Sequence, residues 1–405
     1  MQYCQRQVFP LVNSYPNALS EHIMLINFWY PADQAKNIGS EPVKLRMLGQ
    51  NFVLWRNSAG QVNCLSNTCS HRGGSLAGGK VKDDCIQCPY HGWRYDGEGN
   101  CQAIPSLGPS PKIPARARVD AYPVVERYGL VFCFLGDLPE DERPPIMKIK
   151  EWDQDGWVYT TQQYEFNINY QRSIENGIDP AHNEFVHDTH GFKGEWEEYR
   201  VPEVEIVETE WGTGFSERIK APPLPEKEMQ KASGRTDDAE IWVGTGHECV
   251  NSLWTFIHPS DDMHIHQYMY ETPIDEEHTK VWLINMRNFL QESNHDQRVM
   301  DRNEYVVLQD RDVLEKLHPV ETPPTNNNEY FMPSDLCVGR YRERVKGWEA
   351  RGWRIDSKEV RKNKLKVAYA IPSPDRRTAK NWVLDAVPLV DSTAAETKLA
   401  KVSSQ

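Results

Sequence analysis

Two short segments of this 405-residue chain each set a thiol beside an imidazole: Cys69-Ser70-His71 and Cys88-Pro89-Tyr90-His91. Glycines follow both, Gly73-Gly74 after the first and Gly92 after the second. Thiolates and imidazoles are ligands for zinc and for iron–sulfur clusters. Cys64, Cys69, Cys85 and Cys88 would make a four-thiolate zinc knot, and Cys85-x-x-Cys88 has a usual ligand spacing. A zinc knot has no use for histidines at matching offsets. A [2Fe–2S] cluster with two Cys on one iron and two His on the other uses all four residues. Sixteen residues (72 to 87) separate His71 from Cys88, enough for one β-hairpin between two ligand loops. The repeated Cys–His–Gly order therefore favours the cluster.

A second constellation follows downstream. Asp179-Pro180-Ala181-His182-Asn183-Glu184-Phe185-Val186-His187 holds one Asp and two His, with Glu175-Asn176 just before it. Asp179 and His182 share a face of a helix. His182 and His187 are roughly 140° apart on an ideal helix, so they meet at one ion only if the helix ends or bulges between them. Pro180 fits a helix restarting there with Asp179 as its N-cap. Two His and a carboxylate with open positions form the facial triad of non-haem Fe(II) sites. The carboxylate must come from elsewhere. Between 296 and 317, Val299, Val306, Val307, Val313, Leu314 and Leu317 form one apolar helix face. Asp310 lies inside that stripe and Asp312 outside it. A carboxylate on a buried face is costly unless it is paired or binds metal, which selects Asp310. Spacing alone does not separate His190 from the other histidines.

The elements that would position these residues fall into two units. Before residue 140, short apolar runs (43–48, 52–55, 62–65) alternate with turns in an all-β meander. Residues 137–145 are acidic and Pro-rich, a linker. Beyond it, strands are expected at 159–168, 204–208, 215–219, 253–257, 264–271 and 279–286, with a turn at Trp211-Gly212-Thr213-Gly214. Helical stretches are expected around 170–187 and 296–317. The expected domains are 1–140 and 141–405, with a frayed tail at 393–405. Hydrophobic content of 39% with 13 Trp supports sizeable cores. A net charge of −13 argues against nucleic acid or an anionic membrane as partner. No apolar run approaches the ~20 residues of a membrane span. The N-terminus shows no basic segment followed by an apolar run, so no signal peptide is expected. Nine Cys without a tight framework fit a reducing, cytoplasmic setting.

The CxH and CPYHGW motifs resemble the Rieske domain of ring-hydroxylating oxygenases and their ferredoxins. Respiratory Rieske proteins carry an extra Cys in each loop; Gly74 and Tyr90 stand at those places here. Asn169, Glu175-Asn176, Asp179-x-x-His182-x4-His187 and Gln309-Asp310-Arg311-Asp312 are similar to the catalytic domain of Rieske non-haem iron oxygenases, in the phthalate-dioxygenase-like branch that includes aromatic O-demethylases. The likeness runs from about residue 25 to 320. It implies an α+β fold: an all-β Rieske domain, then a helix-grip catalytic domain in which a curved antiparallel sheet wraps a long helix. It implies a [2Fe–2S] cluster on Cys69, His71, Cys88 and His91, with the Cys on the inner iron, and a mononuclear Fe(II) on His182, His187 and Asp310. Cys64, Cys85 and Cys101 become core thiols. A homotrimer is implied, in which Asp179 bridges His91 of an adjacent copy to His182.

The expected activity is hydroxylation of a small aromatic compound by O₂, with O-demethylation as the alternative. The chain lacks a GxGxxG motif and a ferredoxin four-Cys pattern. NAD(P)H would thus act only indirectly, through a separate ferredoxin and/or flavin reductase. A Rieske electron carrier is the competing class, but it needs no second metal set. Asn176 is a candidate support residue, and Phe185, Val186 and Phe192 are candidate pocket residues. Arg172, Arg340, Arg342 and Arg344 could hold a substrate carboxylate or lie at the surface. The segment 335–356 carries no recognisable feature.

Overall fold

A computed structural model describes residues 24–109, 112–190, 194–195, 197–201, 204–221, 239–323 and 328–391. Phe192 and the tail 393–405 lie outside them. The first unit is a set of short antiparallel strands. β1 (Phe28–Gln34) pairs with a later strand; β2 (Val43–Met47), β3 (Gln50–Arg56) and β4 (Val62–Ser66) form one meander. β5 (Lys80–Lys82), β6 (Cys85–Gln87), β7 (Arg94–Tyr95) and β8 (Cys101–Ala103) form a second, four-stranded sheet. β9 (Val124–Arg127) and β10 (Leu130–Leu135) return to β1. All six residues of β10 are buried, as a continuous apolar run with both faces covered should be.

The linker stretch is pinned rather than loose. Asn27 accepts the backbone N–H groups of Asp137 and Leu138, and the Trp29 indole donates to the Pro144 carbonyl. Next comes a seven-stranded antiparallel sheet among the described residues. Its strands are β11 (Val158–Phe166), β12 (Val207–Glu208), β13 (Gly212–Lys220), β14 (Glu240–Glu248), β15 (Ser252–His258), β16 (Ile265–Pro273) and β17 (Thr279–Arg287), in the order β11-β17-β16-β15-β14-β13-β12.

β14 is not legible in the sequence, and the expected Gly212–Gly214 turn is instead strand. One physical reason covers both. A Cβ on Gly214 or Gly246 would come 2.5 Å from Cζ2 of Trp254, so glycine is required where that indole crosses two strands. The glycines read as turn signals, but their task is to admit a ring.

Helix α1 (Tyr170–Gly177) is capped by Asn169, whose side chain accepts the Gln171 N–H at 3.0 Å. The expected helix through 187 breaks after Gly177; a short α2 (Asn183–Val186) follows. The N-cap of α2 is His182, not Asp179. α3 (Asp296–Leu314) crosses the sheet against β11. Its packed line is Asn303, Val307, Asp310, Leu314 and Leu317, a 4-3-4-3 spacing, whereas Val313 is 43% exposed and does not belong to the buried stripe.

The unplaced segment 335–356 is mostly helix: α4 (Leu336–Glu349) lies on β13 and buries Cys337, Tyr341, Val345 and Trp348. A further helix, α5 (Ser357–Asn363), leads to β18 (Tyr369–Ala370) and β19 (Asp385–Ala386), which rejoin the first unit. There Arg376 and Ser373 bind the buried Asp120 carboxylate, and Tyr122 donates to the Ile371 carbonyl. One apolar cluster thus joins β1 and β10 to α1 and α4.

Glu271 on β16 is fully buried beside α1, and burial pushes its carboxyl up to about 8, against a smaller pull from the Ser173 hydroxyl. The group stays protonated in the fold while the unfolded chain ionises near its ordinary value of about 4.3. Its favourable contribution is full below that value and gone above about 8, at about 1.4 kcal/mol per pH unit between. Glu271→Gln should therefore gain stability over the parent as pH rises from 5 to 8, read as a widening Tm gap; parallel Tm–pH curves would refute this.

Candidate metal centres

The two Cys–His loops are built alike. Cys69 accepts the Gly73 N–H and donates its own N–H to Gly74; Cys88 does the same with Gly92 and Trp93, all at 2.8–3.0 Å. Gly73 and Gly92 both hold φ near +73°, which only glycine adopts without cost. The loops face each other closely. A Cβ on Gly74 would stand 2.9 Å from the Cys88 Sγ, so a larger residue there would fill the space between the thiols.

Burial divides the donors by type. Cys69 and Cys88 are each 2% exposed, while His71 and His91 are exposed, with ring centroids 4.5 Å apart. His71 stacks on Trp93 at 4.6 Å. Desolvation, His71 and Arg72 lower the His91 pKa, favouring the neutral ring that can ligate metal. An inner pair of thiols and an outer pair of imidazoles is the donor set of a two-Cys, two-His [2Fe–2S] cluster. The zinc quartet is not assembled: Cys64 lies in a different core cluster from Cys69 and Cys88, and among the described residues these thiols are not spaced to hold one ion. Tyr95, unnoticed in the sequence, places its hydroxyl 3.2 Å from the Cys69 Sγ and 3.0 Å from Ser70.

In the second unit the break between α1 and α2 brings the distant donors together. His187 follows the end of α2 in extended backbone (φ −106°, ψ 110°), which swings its ring back toward His182. His187 Nε2 lies 3.2 Å and His182 Nε2 3.7 Å from the same Asp310 oxygen. Among the described residues these three form one of two groups spaced to hold a metal ion. Asp312 is 65% exposed and away from the site.

The surroundings fix each donor. Asn176 on α1 donates to Asp310 at 2.9 Å. The Asp179 carbonyl takes the His182 Nδ1 at 2.6 Å, and Gln309 holds the His187 Nδ1 at 3.2 Å. Gln309 is itself tied to Asp188, which also accepts from Tyr305. Such outer hydrogen bonds set which ring nitrogen carries the lone pair. Burial would raise the Asp310 pKa, but the two histidines and Asn176 hold it below the usual range. His190 contacts the His187 ring at 4.9 Å, with Nδ1 toward Thr189. Burial drops it to about 3, so it stays neutral.

Asp179 is not among the converging donors. One of its oxygens accepts the Ala181 N–H at 2.7 Å, and burial pushes its carboxyl up. Phe185 points away from the site, 69% exposed with its ring on Tyr199, and so does not fit a pocket lining; Val186 is half-buried. Arg172 and Arg342 are not surface groups either. They hold Glu175 and Glu329 in a buried ion network, while Arg344 binds the carbonyls of Thr209 and Glu210, and Arg340 pairs with Glu343. At the Asn303 level of α3 the sheet presents amides: Gln162 and Gln267 hydrogen-bond Asn303, and Gln267 also meets Asn285. Asn303 is two turns from Asp310 on the same helix line.

Thiol–imidazole loops on a β-meander, and a His–His–Asp set beneath a helix on an antiparallel sheet, define a two-centre metalloprotein. Residues 28–123 match the Rieske [2Fe-2S] domain and residues 166–351 the vanillate O-demethylase oxygenase C-terminal domain. With both domains in this order, the chain belongs to the Rieske non-haem iron oxygenases, a family with a [2Fe–2S] cluster and a mononuclear iron site. It is 30% identical over 213 residues to the 3-chlorobenzoate-3,4-dioxygenase oxygenase subunit of Comamonas testosteroni, covering 49% of this chain and 48% of that protein. It is 26% identical over 265 residues to the 5,5'-dehydrodivanillate O-demethylase oxygenase subunit of a Sphingobium species, covering 63% and 56%. The chain spans about half the length of the curated relatives it matches. In fold it is similar to dicamba monooxygenase bound to dicamba (21% identity, TM-score 0.66, 80% of this chain and 98% of that one). It is also similar to Pseudomonas putida CBB5 NdmA with caffeine (22%, TM-score 0.67, 80% and 91%).

A hydrogen bond to a thiolate favours the more negative, reduced state and is worth about 1.5 kcal/mol. Tyr95→Phe should therefore lower the cluster potential by tens of millivolts with the visible spectrum retained; potentiometric titration reads it. Asn176→Ala leaves Asp310 without its orienting donor. Loss of such an outer partner costs roughly 10–100-fold in metal affinity, which iron content after dialysis against a graded chelator would show, with [2Fe–2S] absorbance unchanged.

Proposed function

We propose that this chain is the terminal oxygenase component of a multicomponent system that hydroxylates a small aromatic compound with O₂. The observation that carries this is the pairing of two donor sets in one chain: His182, His187 and Asp310 beside Asp179, together with the Cys69/His71 and Cys88/His91 loops. An electron carrier needs only the loops. We assign Cys69, His71, Cys88 and His91 to the [2Fe–2S] cluster, His182, His187 and Asp310 to Fe(II), Asn176 to support, and the domain boundary to residue 140. When bound, the cluster would supply single electrons and the iron would activate O₂ beside the substrate.

The chain's own residues prepare both places. Three protein donors leave coordination positions for substrate chemistry. The amides of Gln162, Gln267, Asn285 and Asn303 offer hydrogen bonds along the helix line that carries Asp310. His91 is exposed at the rim of the first unit. Asp179 has one oxygen anchored by Ala181 and its carbonyl on His182. An Asp179 carboxylate that accepts the N–H of His91 from a second copy would link the two centres through hydrogen bonds, which requires an oligomer, here a homotrimer. The electrons come from NAD(P)H through a separate ferredoxin or flavin reductase. Free thiols fit the cytoplasm, and no described helix is long and apolar enough to cross a membrane.

O-demethylation is a second reading, favoured by the C-terminal domain's match to the vanillate O-demethylase oxygenase domain. Turnover with a reductase under ¹⁸O₂, against aromatic acids and methoxylated aromatics, separates the readings. Two labelled oxygens in the product indicate dioxygenation, one indicates monohydroxylation, and formaldehyde indicates demethylation. No oxygen incorporation, with two rather than three iron atoms per chain, would leave an electron carrier. Asp179→Ala should keep all three iron atoms and abolish turnover; normal turnover would remove the bridging role.

A further inference from the structure

The second group spaced to hold a metal ion is His258, His264 and His266. It lies on the opposite face of the sheet from the first. Along β16, Gln267 points to α3, while His266, Tyr268 and Tyr270 point to residues 147–151, which reach the other face. His258 ends β15, His264 precedes β16, and one ring nitrogen of each histidine lies within 4.8 Å of the other two. His258 Nε2 and His266 Nε2 approach to 2.9 Å. The rings are walled by Trp242, Trp157 and Phe256.

Tautomers follow from the outer partners. Glu151 accepts from His266 Nδ1 at 2.8 Å, and Tyr268 donates to its other oxygen at 2.5 Å. The proton of His266 is therefore on Nδ1, and its Nε2 lone pair faces His258. His264 donates Nε2–H to the Asp261 carbonyl at 3.0 Å, which leaves a lone pair on Nδ1. Two of three imidazoles are thus preset as acceptors by a carboxylate and a carbonyl, the usual outer partners of metal-bound histidine. Only His258 must move a proton, from Nε2 to Nδ1 or to water. A bound cation would take up the lone pairs of His266 Nε2 and His264 Nδ1, and that of His258 Nε2 once its proton has moved. His258 and His264 are half-buried, and Asp261 and Asp262 beside them are exposed, so an ion and a water ligand have access from solvent.

We propose that His258, His264 and His266 form a divalent transition-metal site, of the three-His-plus-water type that suits Zn²⁺, with Glu151 and Tyr268 as its outer partners. The ion would tie the β15–β16 hairpin to the segment from Glu151 to Trp157 that enters β11. This site is independent of the mononuclear iron and of the oxygenase reading.

The test is calorimetric titration of the iron-loaded protein with Zn²⁺, with Trp fluorescence and iron release followed in parallel. One zinc per chain should bind with no iron released. His258→Ala and His264→Ala should each lose that equivalent while the [2Fe–2S] spectrum and iron content stay as in the parent. Glu151→Gln should weaken binding by about 10–100-fold. If His258→Ala fails to fold, seen as loss of the cluster spectrum, the His264→Ala and Glu151→Gln results decide. The proposal is overturned if no zinc binds more tightly than about 100 µM, about −5.5 kcal/mol. Zinc uptake matched by iron release, or binding unchanged in the variants, overturns it equally.

Discussion

Asp310 is a carboxylate with most of its side chain removed from solvent, and the second unit is arranged around keeping it charged and aimed. A buried charge is tolerated only when it is paired and hydrogen-bonded. Asn176 supplies the hydrogen bond, and His182 and His187 the pairing. Asn176 comes from α1, His182 from the loop before α2, and His187 from the residue that follows α2. Their meeting depends on α1 lying very close to the sheet. A Cβ on Gly177 would collide with Leu253, and the Gly177 carbonyl accepts from Thr245. The same glycine is the last residue of α1, so the closest approach of helix to sheet falls just before the break that lets two histidines converge.

The far side of α1 is held by charge. Glu175 receives two bonds from Arg342 of α4 at 2.6 and 2.7 Å, and Arg172 and Glu329 complete the network. Buried ion pairs of this kind add little net stability, because desolvation offsets their attraction. Their geometry is demanding, however, and it fixes the rotation of α1 about its axis. That rotation decides whether Asn176 faces Asp310. α4, silent in the sequence, thereby braces the helix that carries Asn176.

In the first unit the controlling quantity is depth. The thiols sit in an apolar cluster with Leu76, Ile86 and Tyr95, while the imidazoles stand at the rim. A cluster held there has a shielded side and an open side. Tyr95 and Ser70 reach the shielded side, where a hydrogen bond to sulfur counts most. β18 and β19, clamped by Arg376 on Asp120, close the same core, so a segment far along the chain supports the first unit.

The candidate donor residues stood out in the sequence because metal chemistry restricts residue type and order: two Cys–His–Gly segments, one Asp-x-x-His-x4-His, and one Asp on an apolar stripe. The meander strands and most of the large sheet were legible from their period of two. The sequence could not place β14, because glycines under Trp254 mimic turns. It also left the role of Arg172 and Arg342 undecided, because an arginine's partner comes from another part of the chain. Gln309, Asp188 and Tyr95 stayed hidden for a similar reason: a hydrogen-bonding side chain has no pattern of its own until its partner is adjacent. The outward turn of Phe185, the break between α1 and α2, and the three histidines gathered behind the sheet are tertiary facts. By itself the sequence determined which atoms are able to bind metal. Only the fold decided which of them meet, because that depends on how closely a helix and a sheet approach and on which way each is rotated.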